Sequence, residues 1–151
     1  GADYAIDCFG IRDRSWGPRV ITDDIRLNYC HGQSEERAFV SYSKPEGAVE
    51  KVFRGHLVRD GKRIDIASGQ RVPHFRNGIL QSIEIELTGV DGSTMSGRGV
   101  PLNRMVYESY PGLLNWLYLM EWRIGANVIY GEEQDVWSLP LWHGRPDYRR
   151  G

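Results

Sequence analysis

Ser82-Ile-Glu-Ile-Glu-Leu-Thr88 alternates strictly between apolar and polar residues. Successive side chains of a β-strand point to opposite faces, so Ile83, Ile85 and Leu87 share one face and Glu84 and Glu86 the other. Runs of similar character extend in both directions: Tyr4 to Ile11, Ile25 to Cys30, Ala38 to Ser43, Val49 to Arg59, Arg63 to Ala67, Thr94 to Val100 and Val128 to Trp137. Between them stand Asp60-Gly61, Asn77-Gly78 and Asp91-Gly92, pairs that permit positive φ in tight hairpins. Hairpins joined in sequence predict an antiparallel meander.

The segment 113–124 admits two readings. Leu113, Leu117, Met120 and Ile124 recur at helical spacing, with Pro111 ahead and Gly125 behind. As a strand, the segment instead places Trp116, Tyr118, Met120 and Trp122 on one face and Leu117, Leu119, Glu121 and Arg123 on the other. Its aromatic content and strand neighbours favour the strand. About eight or nine antiparallel strands in one domain must hide their edges, and closing into a barrel removes them. The expectation is an all-β antiparallel barrel over residues 1–139, with a polar, Pro-containing tail over 140–151. A barrel of this size is either filled by side chains or holds one small ligand.

At 151 residues the chain is long enough to bury a core without metal or disulfide staples. Its 40% hydrophobic and 26% charged content is that of a globular domain, and no stretch approaches the roughly 18 apolar residues of a membrane span. A net charge of -1 supplies no general field for nucleic acid. Of the 19 basic residues, 16 are arginine, whose planar fork suits fixed pairing with carboxylates. Cys8 and Cys30 belong to no CxxC or Cys/His array, so reduced thiols are expected. No basic, apolar-cored leader is visible, and a cytoplasmic chain is expected. The four histidines, His31, His56, His74 and His143, form no HxH, HxxE or HExxH pattern, and no phosphate loop occurs; the expectation is neither metal nor cofactor. Gly97-Arg-Gly99 reads as a bend in a strand.

Two motifs at opposite ends carry a resemblance. Asp13-Arg-Ser-Trp-Gly-Pro-Arg19 is similar to the DxSWGxR stretch, and Gly131-Glu-Glu-Gln-Asp-Val-Trp137 to the GExQDxW stretch, of the lipocalin-like domain of carotenoid 1,2-hydratase and AttH-type proteins. The resemblance implies a lipocalin-like (calycin-type) barrel, commonly the second of two in tandem, and, as in the family members of known activity, action on hydrophobic molecules as hydratase, dehydratase or cyclisation catalyst. Two departures bear on that chemistry. Arg14 stands where the hydratases usually carry histidine, replacing a titrating group with a permanent cation. Ser41-Tyr42-Ser43 supplies the tyrosine of a Tyr-x-Asp strand without its carboxylate.

On a strand, Glu133, Asp135 and Trp137 share one face and Glu132 and Gln134 the other. Crowded carboxylates raise one another's pKa, and an apolar lining raises it further, which makes Asp13, Glu133 and Asp135 candidate proton donors. His31 and His56 are candidate acids or bases if they face a lumen. Against this stands a structural reading: Arg12, Arg14 and Arg19 pair with Asp13, Glu132, Glu133 or Asp135 across the first and last strands, with Trp16 beneath a guanidinium and Trp137 in the same clasp. That clasp is favoured, since ion-pair networks perturb pKa values without being catalytic. Trp16, Tyr29, Tyr42, Trp116, Tyr118 and Trp122 are the candidate ligand-binding residues, their faces suiting a hydrophobic molecule; Tyr107 is a further hydrogen-bond donor. Two functions follow: a barrel acting on a hydrophobic small molecule by proton transfer, or a binding barrel without chemistry. In either case a companion barrel or a homodimer would cover an apolar face.

Overall fold

A computed structural model of the chain describes residues 2–5, 10, 20, 22–47 and 49–144. Nine strands follow in order: β1 (Arg26–Gln33), β2 (Arg37–Glu46), β3 (Val49–Arg59), β4 (Lys62–Arg76), β5 (Ile79–Gly89), β6 (Thr94–Pro101), β7 (Met105–Tyr110), β8 (Leu113–Ile124) and β9 (Asn127–Ser138). One helical turn, α1 (Leu139–His143), succeeds them. The sheet order is β6-β5-β4-β3-β2-β1-β9-β8-β7, every pairing antiparallel, and β6 pairs also with β8. That last pairing closes eight strands into a barrel and leaves β7 as an extra strand. β8 is shared along its length: Leu113 to Leu117 pair with β7, while Met120 to Arg123 pair with β6.

The local chemistry explains the hairpins. Asp60 and Gly61 take φ of 51° and 70°, and Asn77 and Gly78 take 51° and 72°, so both pairs form two-residue turns whose twist matches the flanking strands. β5 buries Ile83, Ile85 and Leu87 and exposes Glu84 and Glu86, as its alternation requires. Residues 113–124 are a strand, and the inward face carries Trp116, Tyr118, Met120 and Trp122.

Several boundaries differ from expectation. Of the strand expected over 4–11, Tyr4, Ala5 and Gly10 lie outside any strand, and the other positions fall outside the described residues. β4 runs from Lys62 to Arg76, past Gly69 and Pro73, where the strand was expected over Arg63 to Ala67 alone. β7 was not foreseen, because Met-Val-Tyr-Glu-Ser-Tyr shows no clean alternation. The start of the expected tail is the helical turn α1, with Pro140 in its first turn, where a missing N–H costs nothing.

The barrel is filled. Phe39, Leu57, Ile83, Ile85, Leu87, Met120, Trp122, Ile124 and Ile129 pack together inside one half. Trp122 is fully buried and meets Phe39 edge-on, ring centroids 5.1 Å apart. Gly97 and Gly99 of β6 make room for β8: a Cβ on Gly97 would stand 2.3 Å from Ile124 Cδ1, and one on Gly99 2.6 Å from Trp122 Cε3. The absent side chains leave the space that the large residues of β8 occupy.

Candidate functional site

The other half of the barrel interior is ionic. Arg71 of β4, 0% exposed, directs one terminal nitrogen to Glu50 Oε2 at 2.5 Å and the other to Glu133 Oε1. Arg26, which begins β1, reaches Glu50 Oε1 at 2.6 Å and Asp135 Oδ1 at 2.5 Å. The amide of Asn28 donates to Glu133 and, at 2.9 Å, to the Gln134 carbonyl, while the Ser43 hydroxyl donates to Glu50 at 3.2 Å. Inward parity brings these groups together: Asn28 faces Asp135 and Cys30 faces Glu133 across β1 and β9, and Glu50 faces Arg71 across β3 and β4. Two guanidinium groups thus meet three carboxylates, an excess of one negative charge in a low-dielectric interior. Burial, with Asp135 and Glu50 nearby, pushes the Glu133 carboxyl up to about 7 against the opposing pull of Arg71. Although burial works against its charged form, the Arg71 guanidinium is held more firmly protonated by Glu133, Glu50 and Asp135. Burial also drives the Cys30 thiol well above its ordinary range, and its Sγ lies 3.1 Å from the Ser41 hydroxyl.

Aromatic rings cap this end. The Arg26 guanidinium lies 4.0 Å above the Trp137 ring, and Trp142 of α1 packs on Trp116 and Trp137 at centroid distances of 5.0 and 5.7 Å. The Ser138 hydroxyl, donating to the Asp23 carbonyl at 2.6 Å, ties the end of β9 to the segment entering β1. A tryptophan under a guanidinium is the arrangement expected of a clasp, built here from Arg26 and Trp137. Arg12, Asp13, Arg14, Trp16 and Arg19 lie outside the described residues.

Side chains occupy the interior, and an open volume lies on the outer face. A groove of about 920 Å³ crosses the outward faces of β4, β3, β2, β1, β9, β8 and β7. Leu27, Val40, Leu113 and Val136 contribute apolar surface, with Tyr29, Tyr42 and Phe53 forming an aromatic row. Tyr29 and Tyr42 are 5.0 Å apart between centroids, and Tyr42 and Phe53 6.4 Å. At the β8 side the Asn115 amide donates to Tyr107 Oη at 3.1 Å and Gln134 Oε1 at 3.3 Å, while the buried Asn115 Oδ1 has no hydrogen-bond partner among the described residues. At the β3 side stand Arg54, His56 and Arg63. Burial, helped by Arg63 and opposed by Asp65, lowers the His56 pKa, so its imidazole is neutral at pH 7.

The candidate residues therefore separate. Glu133 and Asp135 are inside the barrel in arginine pairs, and Trp137 is with them. Tyr29, Tyr42 and His56 line the outer groove. His31, buried on the outer face of β1, has its pKa lowered by burial against the opposing pull of Glu132, whose carboxylate accepts from the Gln134 amide at 2.5 Å. Trp122 and Tyr118 belong to the core, the side-chain-filled alternative of the two open to a barrel of this size; Tyr118 also borders a hollow of about 350 Å³ beside the β6–β7 connection. Trp116 packs against that core and beneath Arg104, 5.4 Å from the guanidinium.

Sequence reading missed Arg26, Asn28, Glu50 and Arg71 in the interior, and Arg54 and Asn115 in the groove. The signal for the first set was a charged or amide residue in phase with apolar neighbours, as Asn28 is with Cys30. Among the described residues no group of three or more His, Cys, Asp or Glu side chains is arranged to hold a metal ion. No helix among them is long and apolar enough to cross a membrane. Compared with known proteins, the chain matches no family model, no curated sequence and no solved structure, so function must be argued from the barrel and its groove.

Proposed function

We propose that this chain is a lipocalin-like barrel of the carotenoid 1,2-hydratase and AttH type that binds a hydrophobic small molecule in the outer groove, without chemistry. The observation that carries the reading is the groove itself: about 920 Å³, walled by Leu27, Val40, Val136 and the Tyr29, Tyr42, Phe53 row, with a few polar groups at its two sides. That combination of apolar wall and sparse polar anchors is what small-molecule sites present. The interior carboxylates support a binding role over a catalytic one, since Glu133, Asp135 and Glu50 are occupied by Arg71 and Arg26. A companion barrel or second copy is part of the same proposal, and the exposed Leu102, Met105, Leu119 and Tyr130 offer it an apolar face.

Titration with the neutral fluorophore N-phenyl-1-naphthylamine tests the reading. Saturable binding is expected, and Val136→Trp, which fills the groove, should weaken it by tenfold or more. Equal binding by wild type and V136W would place the probe elsewhere and remove the support for the groove.

A second reading, proton transfer by a hydratase, dehydratase or isomerase, is favoured by one observation. His56 presents a neutral imidazole at the groove wall, the form a general base needs. In that case His56→Gln abolishes turnover of a bound molecule while leaving probe affinity within about twofold.

A further inference from the structure

The charged groups that line the groove are all of one sign. Arg54 and Arg63 border it, with the neutral imidazole of His56 beside them, and among the described residues lining it there is no aspartate or glutamate. The interior behaves oppositely, with each guanidinium matched to carboxylates. Arg63 is partly neutralised by Asp65, 3.1 Å away, but Arg54 forms no ion pair among the described residues. Arg54 is also well placed: it is exposed on the outer face of β3, next to Phe53 in sequence and directly opposite Tyr42 of β2, which sets it beside the aromatic row. A guanidinium beside an apolar trough recognises one chemical class well, a planar anionic group on an apolar body, because carboxylate oxygens match its parallel N–H donors.

We propose that the groove selects amphipathic carboxylates, the apolar body lying on Tyr29, Tyr42 and Phe53 and the carboxylate held by Arg54, with Arg63 adding to the local positive potential. The inference rests on the groove being a ligand site and adds its charge selectivity. Arg54 is a binding residue in this account, and the reading requires no chemistry.

The test compares two probes of the same body, 1-pyrenebutyrate and its methyl ester, by fluorescence titration against the full chain. The carboxylate should bind about fivefold more tightly than the ester, the size of effect an exposed charge pair supplies. Arg54→Gln should erase that preference while leaving ester affinity unchanged, and the preference should shrink as salt is raised. Lys62→Gln removes the same charge at an exposed position on β4 outside the groove lining and should leave the preference intact. Equal affinities for the two probes in the wild-type protein, or a preference that survives R54Q, overturn the charge selectivity and leave the groove as a neutral apolar site. Failure of both probes to bind overturns the groove reading itself, and this inference with it.

Discussion

Trp122 of β8 occupies the space that Gly99 of β6 leaves empty. The two are register partners where the barrel closes, and a Cβ on Gly99 would fall 2.6 Å from the indole. Closure and core packing are therefore one event: the strand that completes the barrel can approach only because it has no side chain there.

Gly99→Ala should destabilise the protein by about 1–3 kcal/mol, the range for overpacking a filled core. In the Trp122→Leu background the same change should be nearly neutral. Urea unfolding of the four proteins forms a double-mutant cycle, and a coupling energy near zero would show that the clash is relieved elsewhere.

Glu50 is the bridge of the interior cluster, bonded to both Arg26 and Arg71. Glu50→Ala leaves two buried guanidinium groups short of a partner and should cost about 3–5 kcal/mol. A loss under about 1 kcal/mol in denaturant titration would mean that water or rearrangement compensates the arginines.

Stability should carry a distinctive pH dependence. The Glu133 carboxyl is raised from 4.5 to about 7 in the folded protein, so the folded state holds a proton that the unfolded state releases. Its contribution is fully present below about pH 4.5 and falls as pH rises toward 7, by on the order of 3 kcal/mol at most. His31 and His56 act in the other direction, their depressed pKa values giving stability that is present above pH 6.5 and lost as pH falls. Relative to wild type, Glu133→Gln should therefore gain stability between pH 4.5 and 7 and run parallel above that. Curves parallel throughout would show that Glu133 titrates normally.

Cys30 should be chemically silent. It is fully buried, bonded to Ser41, and its thiol is pushed far from the thiolate form that reacts. In a Cys8→Ser background, a disulfide reagent at pH 8 should label Cys30 only at the rate of unfolding, and stoichiometrically in denaturant. Rapid labelling of the native protein would indicate that the β1–β2 region opens readily.

Much of the barrel was legible because alternation is a local property. Ile83, Ile85 and Leu87 announced β5, and the aromatic spacing in 113–124 outweighed its helical alternative. Arg71 escaped notice because Gly69 and Pro73 flank it, and both are residues that normally end or edge a strand. The clasp was legible in kind, since an arginine-rich chain with a carboxylate-rich final strand predicts ion pairs. The partners that meet Glu133 and Asp135 are Arg71 and Arg26, and naming them required strand register. The groove was not legible at all. It is a concavity across seven strands, and no single segment of sequence encodes a concavity.

The interior cluster also bears on how the strands find their alignment. Its members come from β1, β3, β4 and β9, and each is inside only because its strand is in the right phase. A one-residue slip of β4 against β3 would turn Arg71 out to solvent and bring Gln70 or Val72 inward, leaving Glu133 without its guanidinium and Glu50 with Arg26 alone. In a wholly apolar barrel such a slip can exchange one tolerable residue for another. Here it strands buried charge, so misaligned barrels are penalised by several kcal/mol and the cluster acts as an alignment check on four strands at once.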